Sequence, residues 1–225
     1  MISEHKGTQS AVPRTALETL CRSLSQGLHA TAQPLSILRA GLGNPSVDGM
    51  SIEELRELTS TSAIEVERVC TLFSYLRQLV STESIKPRLS ATQILPLLVE
   101  AADGLDLLFR EDGMCLRSAF PETCQLVSIN RASTLQVLSN VLLIAHSVSR
   151  PEDTVELVAS SDSSNSVRVV VRNLKSRVEG LNAEANLSMA LAEATARSQE
   201  FTLSWSLQPF CVQIGIPMAP IVDPW

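Results

Sequence analysis

Aromatic side chains are scarce in this 225-residue chain, which holds two Trp, one Tyr and five Phe. So few rings speak against a surface built to stack on bases, and the charge agrees. Eighteen Lys and Arg against 24 Asp and Glu leave a net charge of −6, the wrong sign for nucleic acid or an anionic bilayer. No apolar run approaches the roughly 20 residues that a membrane-spanning helix needs, and MISEHKGTQS has neither the basic nor the apolar region of a secretory signal. A cytoplasmic protein is expected. Metal-ligand spacing is also missing: Cys21, Cys70, Cys115, Cys124 and Cys211 are odd in number and scattered, with no CxxC pair and no nearby His cluster. They are expected to be reduced and mostly buried.

What is present is apolar residue in periodic order. The 44% hydrophobic content suffices for a packed core. Leu17, Leu20, Leu24, Leu28, Leu35, Leu38 and Leu42 keep one side of a helix apolar over about seven turns. The stretch GLGNPSVDG at 41–49 ends that helix, since Gly, Asn-Pro and Asp-Gly break it. Ser51 then offers an N-cap, Glu54 completes a capping box, and Ile52, Leu55, Val66, Val69, Phe73, Leu76 and Val80 carry a second stripe toward Pro87. The two helices form an antiparallel hairpin. Each is on the order of 45 Å long, and two helices alone cannot cover two such stripes. A second copy covers them in a dimeric four-helix bundle, with Leu38 and Val69 expected at its seam. The alternative cover is the chain's own C-terminal half.

Beyond Pro87 helix and strand signals alternate. Helices are expected at 91–109, 131–148 and 181–199. Strands are expected at 114–120, 124–129, 154–159, 166–171, 201–206 and 211–216. The fold class is α+β. The expected divisions are a tail at 1–13, a helical hairpin at 14–86, an α/β sandwich at 87–219 and a tail at 220–225.

Mid-helix in the first arm stands His29-Ala30-Thr31-Ala32-Gln33-Pro34-Leu35. Pro34 cannot donate to the carbonyl of Ala30, so the helix loosens one residue beyond His29. His29 follows Leu28 by about 100° and falls at the edge of the stripe, where a neutral imidazole nitrogen is accessible at cellular pH. Read alone, this is a half-exposed helix histidine. A His followed five residues later by Pro-Leu, in the first arm of a hairpin with an α/β domain behind it, resembles the H-box of sensor histidine kinases.

The second half strengthens the resemblance, because its order of elements is similar to the ATP-binding domain of those kinases and of the gyrase, heat-shock and MutL ATPases. Gln136, Leu138, Asn140, Leu142 and Ala145 match the N-box pattern Q-x-L-x-N-L-L-x-N-A. Read without the family, 131–148 is a buried helix in which Asn140 is satisfied internally. The family's second Asn, a Mg²⁺ ligand, is Ile144 here, and an aliphatic side chain cannot ligate a hard cation. Where the family places Asp-x-Gly-x-Gly, this chain has Arg172-Asn173-Leu174-Lys175-Ser176. Where it places a second Gly-rich stretch, this chain has 186–193, without glycine.

The resemblance implies a two-component signalling protein close in architecture to the dimeric histidine phosphotransferases. His29 would be the phosphoacceptor, Gln33 would orient water or a phosphoryl oxygen, and Pro34 would shape the helix. Asn140 would survive as a remnant of the nucleotide site. Ala30 stands where active kinases usually carry the acid that serves as base. Neither metal nor cofactor is expected. The partners implied are a second copy and a response-regulator receiver domain, with no nucleic acid and no membrane. Two alternatives stay open: a pseudokinase adaptor that moves no phosphate, and a divergent ATP-dependent kinase.

Overall fold

The computed structural model describes residues 16–43, 50–84, 87–121, 125–162 and 165–220. The expected N-terminal tail, the middle of the inter-helix turn and nearly all of the C-terminal tail lie outside these. No helix among the described residues is long and apolar enough to cross a membrane.

Helix α1 (Ala16–Leu42) packs along α2 (Ile52–Ser84), with Gly27 opposite Leu76 and Gly41 opposite Leu58, so the two run antiparallel. The capping box forms at the start of α2. Ser51 N–H donates to Glu54 Oε2 at 2.7 Å, and Glu54 N–H donates to Ser51 Oγ at 3.3 Å. The Ser51 backbone N–H, followed by its hydroxyl, holds the Glu54 carboxyl below the usual range.

Among the α1 side chains described, which exclude Leu17, Leu20 and Leu42, the buried positions are Gly27, Thr31 and Pro34, with Leu24 and Leu38 half-buried beside them. The leucine stripe therefore divides. Leu28 and Leu35 lie about 100° around from Gly27 and are 58% and 47% exposed. Leu38 and Val69 are half-buried within the protomer.

The remaining chain builds an α/β sandwich in the order β1 (Ser90–Gln93), α3 (Ile94–Glu111), β2 (Cys115–Ala119), β3 (Leu126–Ile129), α4 (Arg131–Ser147), β4 (Thr154–Asp162), β5 (Ser166–Asn173), α5 (Ala183–Ser198), β6 (Thr202–Leu207) and β7 (Phe210–Pro217). Five strands form one sheet in the order β2-β4-β5-β7-β6, in which only β2 and β4 are parallel, while β1 and β3 pair antiparallel apart from it. Strict alternation along β5 turns Val167, Val169 and Val171 inward, with Phe210, Val212, Ile214 and Ile216 of β7, against α3, α4 and α5.

Two expectations are corrected here. The helix anticipated at 91–109 begins only at Ile94, because Ser90–Gln93 pair with Leu126–Ile129 as a strand. Pro96 then sits in the first turn of α3, where its missing N–H leaves no helical bond unmade. The thiols described are not buried: Cys70 and Cys115 are exposed and Cys211 half-exposed, all three free, while Cys124 and the side chain of Cys21 lie outside the described residues.

The helical pair also rests on the sandwich. Leu72, Leu76 and Leu79 of α2 form a small apolar cluster with Leu187, Leu191 and Ala194 of α5, and Leu24, Ala30 and Tyr75 pack against it. Gln136 of α4 donates its side-chain amide to Gln78 of α2. The chain's own C-terminal half thus covers part of the apolar surface of the pair. It leaves Leu28, Leu35, Val66, Phe73 and Val80 exposed.

Candidate functional site

Around α1 the side chains sort by angle. Taking Gly27 as the inward direction, Thr31 and Pro34 stay within about 40° of it, while Leu28 and Leu35 turn to one flank and Ala30 to the other. His29 lies about 200° around, on the outward face with Ser25, Ala32, Gln33 and Ser36, all exposed. Gln33 follows His29 by one turn on that face, as its spacing predicts. Pro34 is buried on the opposite face. The structure thus brings His29 and Gln33 together and sets Pro34 behind them. Thr31 Oγ1 donates to the carbonyl of Leu28 at 2.8 Å and Ser36 Oγ to that of Ala32 at 2.7 Å, side-chain back-bonds of the kind that accompany bending, on either side of the proline. Ala30 packs against the cluster on α5. An acid there would be pressed onto leucines.

Asn140 is far from this face. It is 7% exposed on α4, and its Nδ2 has no hydrogen-bond partner among the described residues. Ile144, one turn on, is 2% exposed in the main core. A cavity of about 140 Å³ opens between α4, the N-terminus of α5 and α2, lined in part by Leu143, Ile144, Ser147, Ser188 and Tyr75. Burial, then the Glu184 carboxylate, pushes the Tyr75 phenol above its usual range, against a smaller pull downward from the Ser188 hydroxyl.

The segment after β5 is built around Asn173, which is fully buried. Its Nδ2 donates to Ser149 Oγ at 2.8 Å and to Asp153 Oδ2 at 2.9 Å, and its Oδ1 accepts from Lys175 N–H at 2.9 Å. The Arg150 N–H, then Asn173, hold the Asp153 carboxyl below its usual range. Residues 186–193, compared above with a Gly-rich stretch, lie inside α5 and not in a loop before it. The stretch leading into α5 is 174–182.

These residues do not fit a magnesium nucleotide. Position 144 offers no oxygen ligand. The polar atoms of Asn173 are consumed by the protein, and among the described residues no group of three His, Cys, Asp or Glu is placed to hold a metal.

Sequence reasoning passed over Gly27 and Tyr75, and met Asn173 and Leu187 only inside the stretches compared with Gly-rich boxes. A glycine two residues before the candidate histidine, in the interior of a helix, was the readable signal, since glycine there is costly unless packing requires it.

No family model matches the chain, and no curated protein matches it. Solved structures do. Over 85% of this chain and 98% of that one, Acinetobacter baumannii histidine kinase AdeS is similar with a TM-score of 0.65 at 17% identity. Full-length ShkA in complex with AMPPNP gives 0.62 at 15% identity over 94% of this chain, which spans about half of that structure (48%). A histidine kinase from Burkholderia phymatum STM815 gives 0.51 at 16% identity over 90% of this chain and 99% of that one. At these identities the likeness speaks for the fold, and the chain is histidine-kinase-like in fold, its sandwich that of the kinase ATPase domain.

Proposed function

We propose that the protein is a two-component-type histidine phosphotransfer dimer, in which His29 exchanges a phosphoryl group with the aspartate of a response-regulator receiver domain. One observation carries the reading. His29 and Gln33 occupy the outward face of α1, opposite the buried Pro34, so the H-box spacing presents the imidazole to a partner rather than to the fold.

In the accepting direction a neutral ring nitrogen of His29 attacks the phosphorus of a receiver aspartyl phosphate. A P–N bond forms, the P–O bond to the aspartate breaks, and its electron pair leaves as carboxylate. Handing the group on reverses these steps. The receiver supplies its own metal and lysine, so neither ATP nor an acid at position 30 is required. Gln33 lies within one turn to hydrogen-bond a phosphoryl oxygen or to orient water. A second copy buries the flank carrying Leu28, Leu35, Val66, Phe73 and Val80, of which the last three recur every seven residues as in a coiled-coil seam.

The test is exposure to phosphorylated receivers, followed by a search for acid-labile, base-stable label. Label on the wild type and none on a His29→Gln chain that still dimerises is expected, with Gln33→Ala altering mainly the loss of phosphate. Equal label on both, or none from a receiver that demonstrably docks, refutes phosphotransfer and leaves an adaptor that only binds or sequesters.

A further inference from the structure

We propose that Gly27 is a positioning residue for His29, and that α5 of the sandwich, through Leu187, is the buttress it works against. The inference rests on reading His29 as phosphoacceptor, and it assigns the α/β half a task that needs no nucleotide.

Gly27 stands where three helices meet. A Cβ at this position would lie 2.5 Å from Cδ2 and 3.1 Å from Cγ of Leu76 on α2, and 3.3 Å from Cδ2 of Leu187 on α5. The first contact is closer than real side chains tolerate, so the missing methyl sets how near α1 approaches both neighbours. Leu76 has little freedom to swing aside. It is 7% exposed and shares its cluster with Leu72, Leu79, Leu187 and Leu191. One turn on, Ala30 rests on that cluster, and Leu24 rests on it one turn before. The segment 24–30 is therefore held from two sides, by α2 and by α5. His29 projects from the unheld side.

An in-line transfer between a ring nitrogen and a receiver aspartate depends on sub-ångström placement, and an error of about 1 Å costs up to about a hundredfold in rate. A partner docked on the helical pair would meet an imidazole whose height is set by the Gly27 contact. A larger side chain lifts α1 from Leu76 and Leu187 and moves His29 with it. Alanine is the better helix former, so loss of transfer in Gly27→Ala would not come from a weakened helix.

Two readouts on the full-length chain test this. The first is amide hydrogen exchange along α1 in wild type and Leu187→Ala. Exchange about tenfold faster over 27–34, with β5 and β7 unchanged, is expected if α5 holds this segment. Equal exchange over 27–34, or the same acceleration throughout the chain, overturns the buttress. The second is transfer from a phosphorylated receiver. Gly27→Ala should slow labelling of His29 by roughly tenfold to a hundredfold, and Gly27→Ala with Leu76→Ala, which reopens the space, should recover most of the rate. All these chains should label equally with phosphoramidate, a small donor that needs no docking. Wild-type transfer by Gly27→Ala, or no recovery in the double variant, overturns the positioning role. If the wild type takes phosphate from no receiver, the phosphoacceptor reading falls, while the exchange readout still decides whether α5 holds α1.

Discussion

Replacing Phe73 with glutamate should separate the proposed dimer without unfolding the protomer. Phe73 is 49% exposed and belongs to neither buried cluster, so folding already takes about half of its benefit and leaves the other half for a partner. Full burial of such a side chain is worth ~1.5–3 kcal/mol, and the open half therefore holds roughly 1 kcal/mol per protomer. In a twofold interface the substitution acts twice, for about 2 kcal/mol or roughly a thirtyfold weaker dimer from lost apolar burial alone. Desolvating an unpaired carboxylate in the seam weakens it further. Sedimentation velocity from micromolar to submillimolar concentration measures the dimer constant, and circular dichroism checks that helix content is kept. Leu76→Glu is the contrasting variant, because Leu76 lies inside the cluster on α5 and its replacement should cost folding itself. A wild type that sediments as monomer throughout this range, or a Phe73→Glu chain that associates as tightly as wild type, refutes the argument.

Other expectations follow from the same geometry. Calorimetry with Mg-ATP should be flat, and a dissociation constant below about 0.1 mM, more than ~5 kcal/mol of binding, would restore the ATP-dependent kinase reading. Asn173→Ala should lower unfolding stability by about 1–3 kcal/mol in denaturant titration, because it leaves Ser149, Asp153 and the Lys175 N–H without a buried partner; an unchanged midpoint would show that water replaces it. Asp153 is held below its ordinary range when folded, so its contribution is present above the unfolded value near 3.9 and lost as pH falls through the folded one. The stability gap between wild type and Asp153→Asn should accordingly close in acid, and a gap independent of pH would remove the carboxylate from the account. Tyr75 is the single tyrosine, so absorbance titration reads it alone; its midpoint should lie above about 10 in the folded chain and return there on unfolding.

Periodicity was the legible part. Apolar spacing located both long helices and every strand of the five-stranded sheet, because half-buried strands alternate and amphipathic helices repeat. The start of α3 was misplaced because Ser90–Gln93 is too short and too polar to show alternation. Its strand identity comes from Leu126–Ile129, which no local window contains. The leucines of α1 illustrate the other limit. Spacing puts all seven on one side of a helix, yet Leu24 and Leu38 turn inward while Leu28 and Leu35 stay exposed, because the division depends on which neighbours the helix meets. At the candidate site, a 100° step from Leu28 puts His29 at the edge of the stripe, and it lies fully outward because Leu28 itself turns to the exposed flank. The meeting of Gly27 with Leu187 joins positions 160 residues apart, and nothing local announces it.

The departures from the kinase pattern have structural uses in this fold. Ile144, where a metal-binding Asn would stand, fills the core between α4 and the sheet. Asn173, within the stretch compared with the Asp-x-Gly-x-Gly box, ties β5 to the turn at Ser149 and Asp153. Ala30, at the place of an acid, lets α1 lie on the α5 cluster. In each case the side chain present fixes an element in place. A kinase that transfers phosphate from ATP to its own histidine must bring nucleotide and histidine together, which requires a mobile sandwich. A chain that draws phosphate from a receiver has no such requirement, and its outward histidine gains from a helix held still. On the proposed reading, Ile144, Asn173 and Ala30 would serve a platform that holds an outward histidine in place for a receiver, with no nucleotide to position.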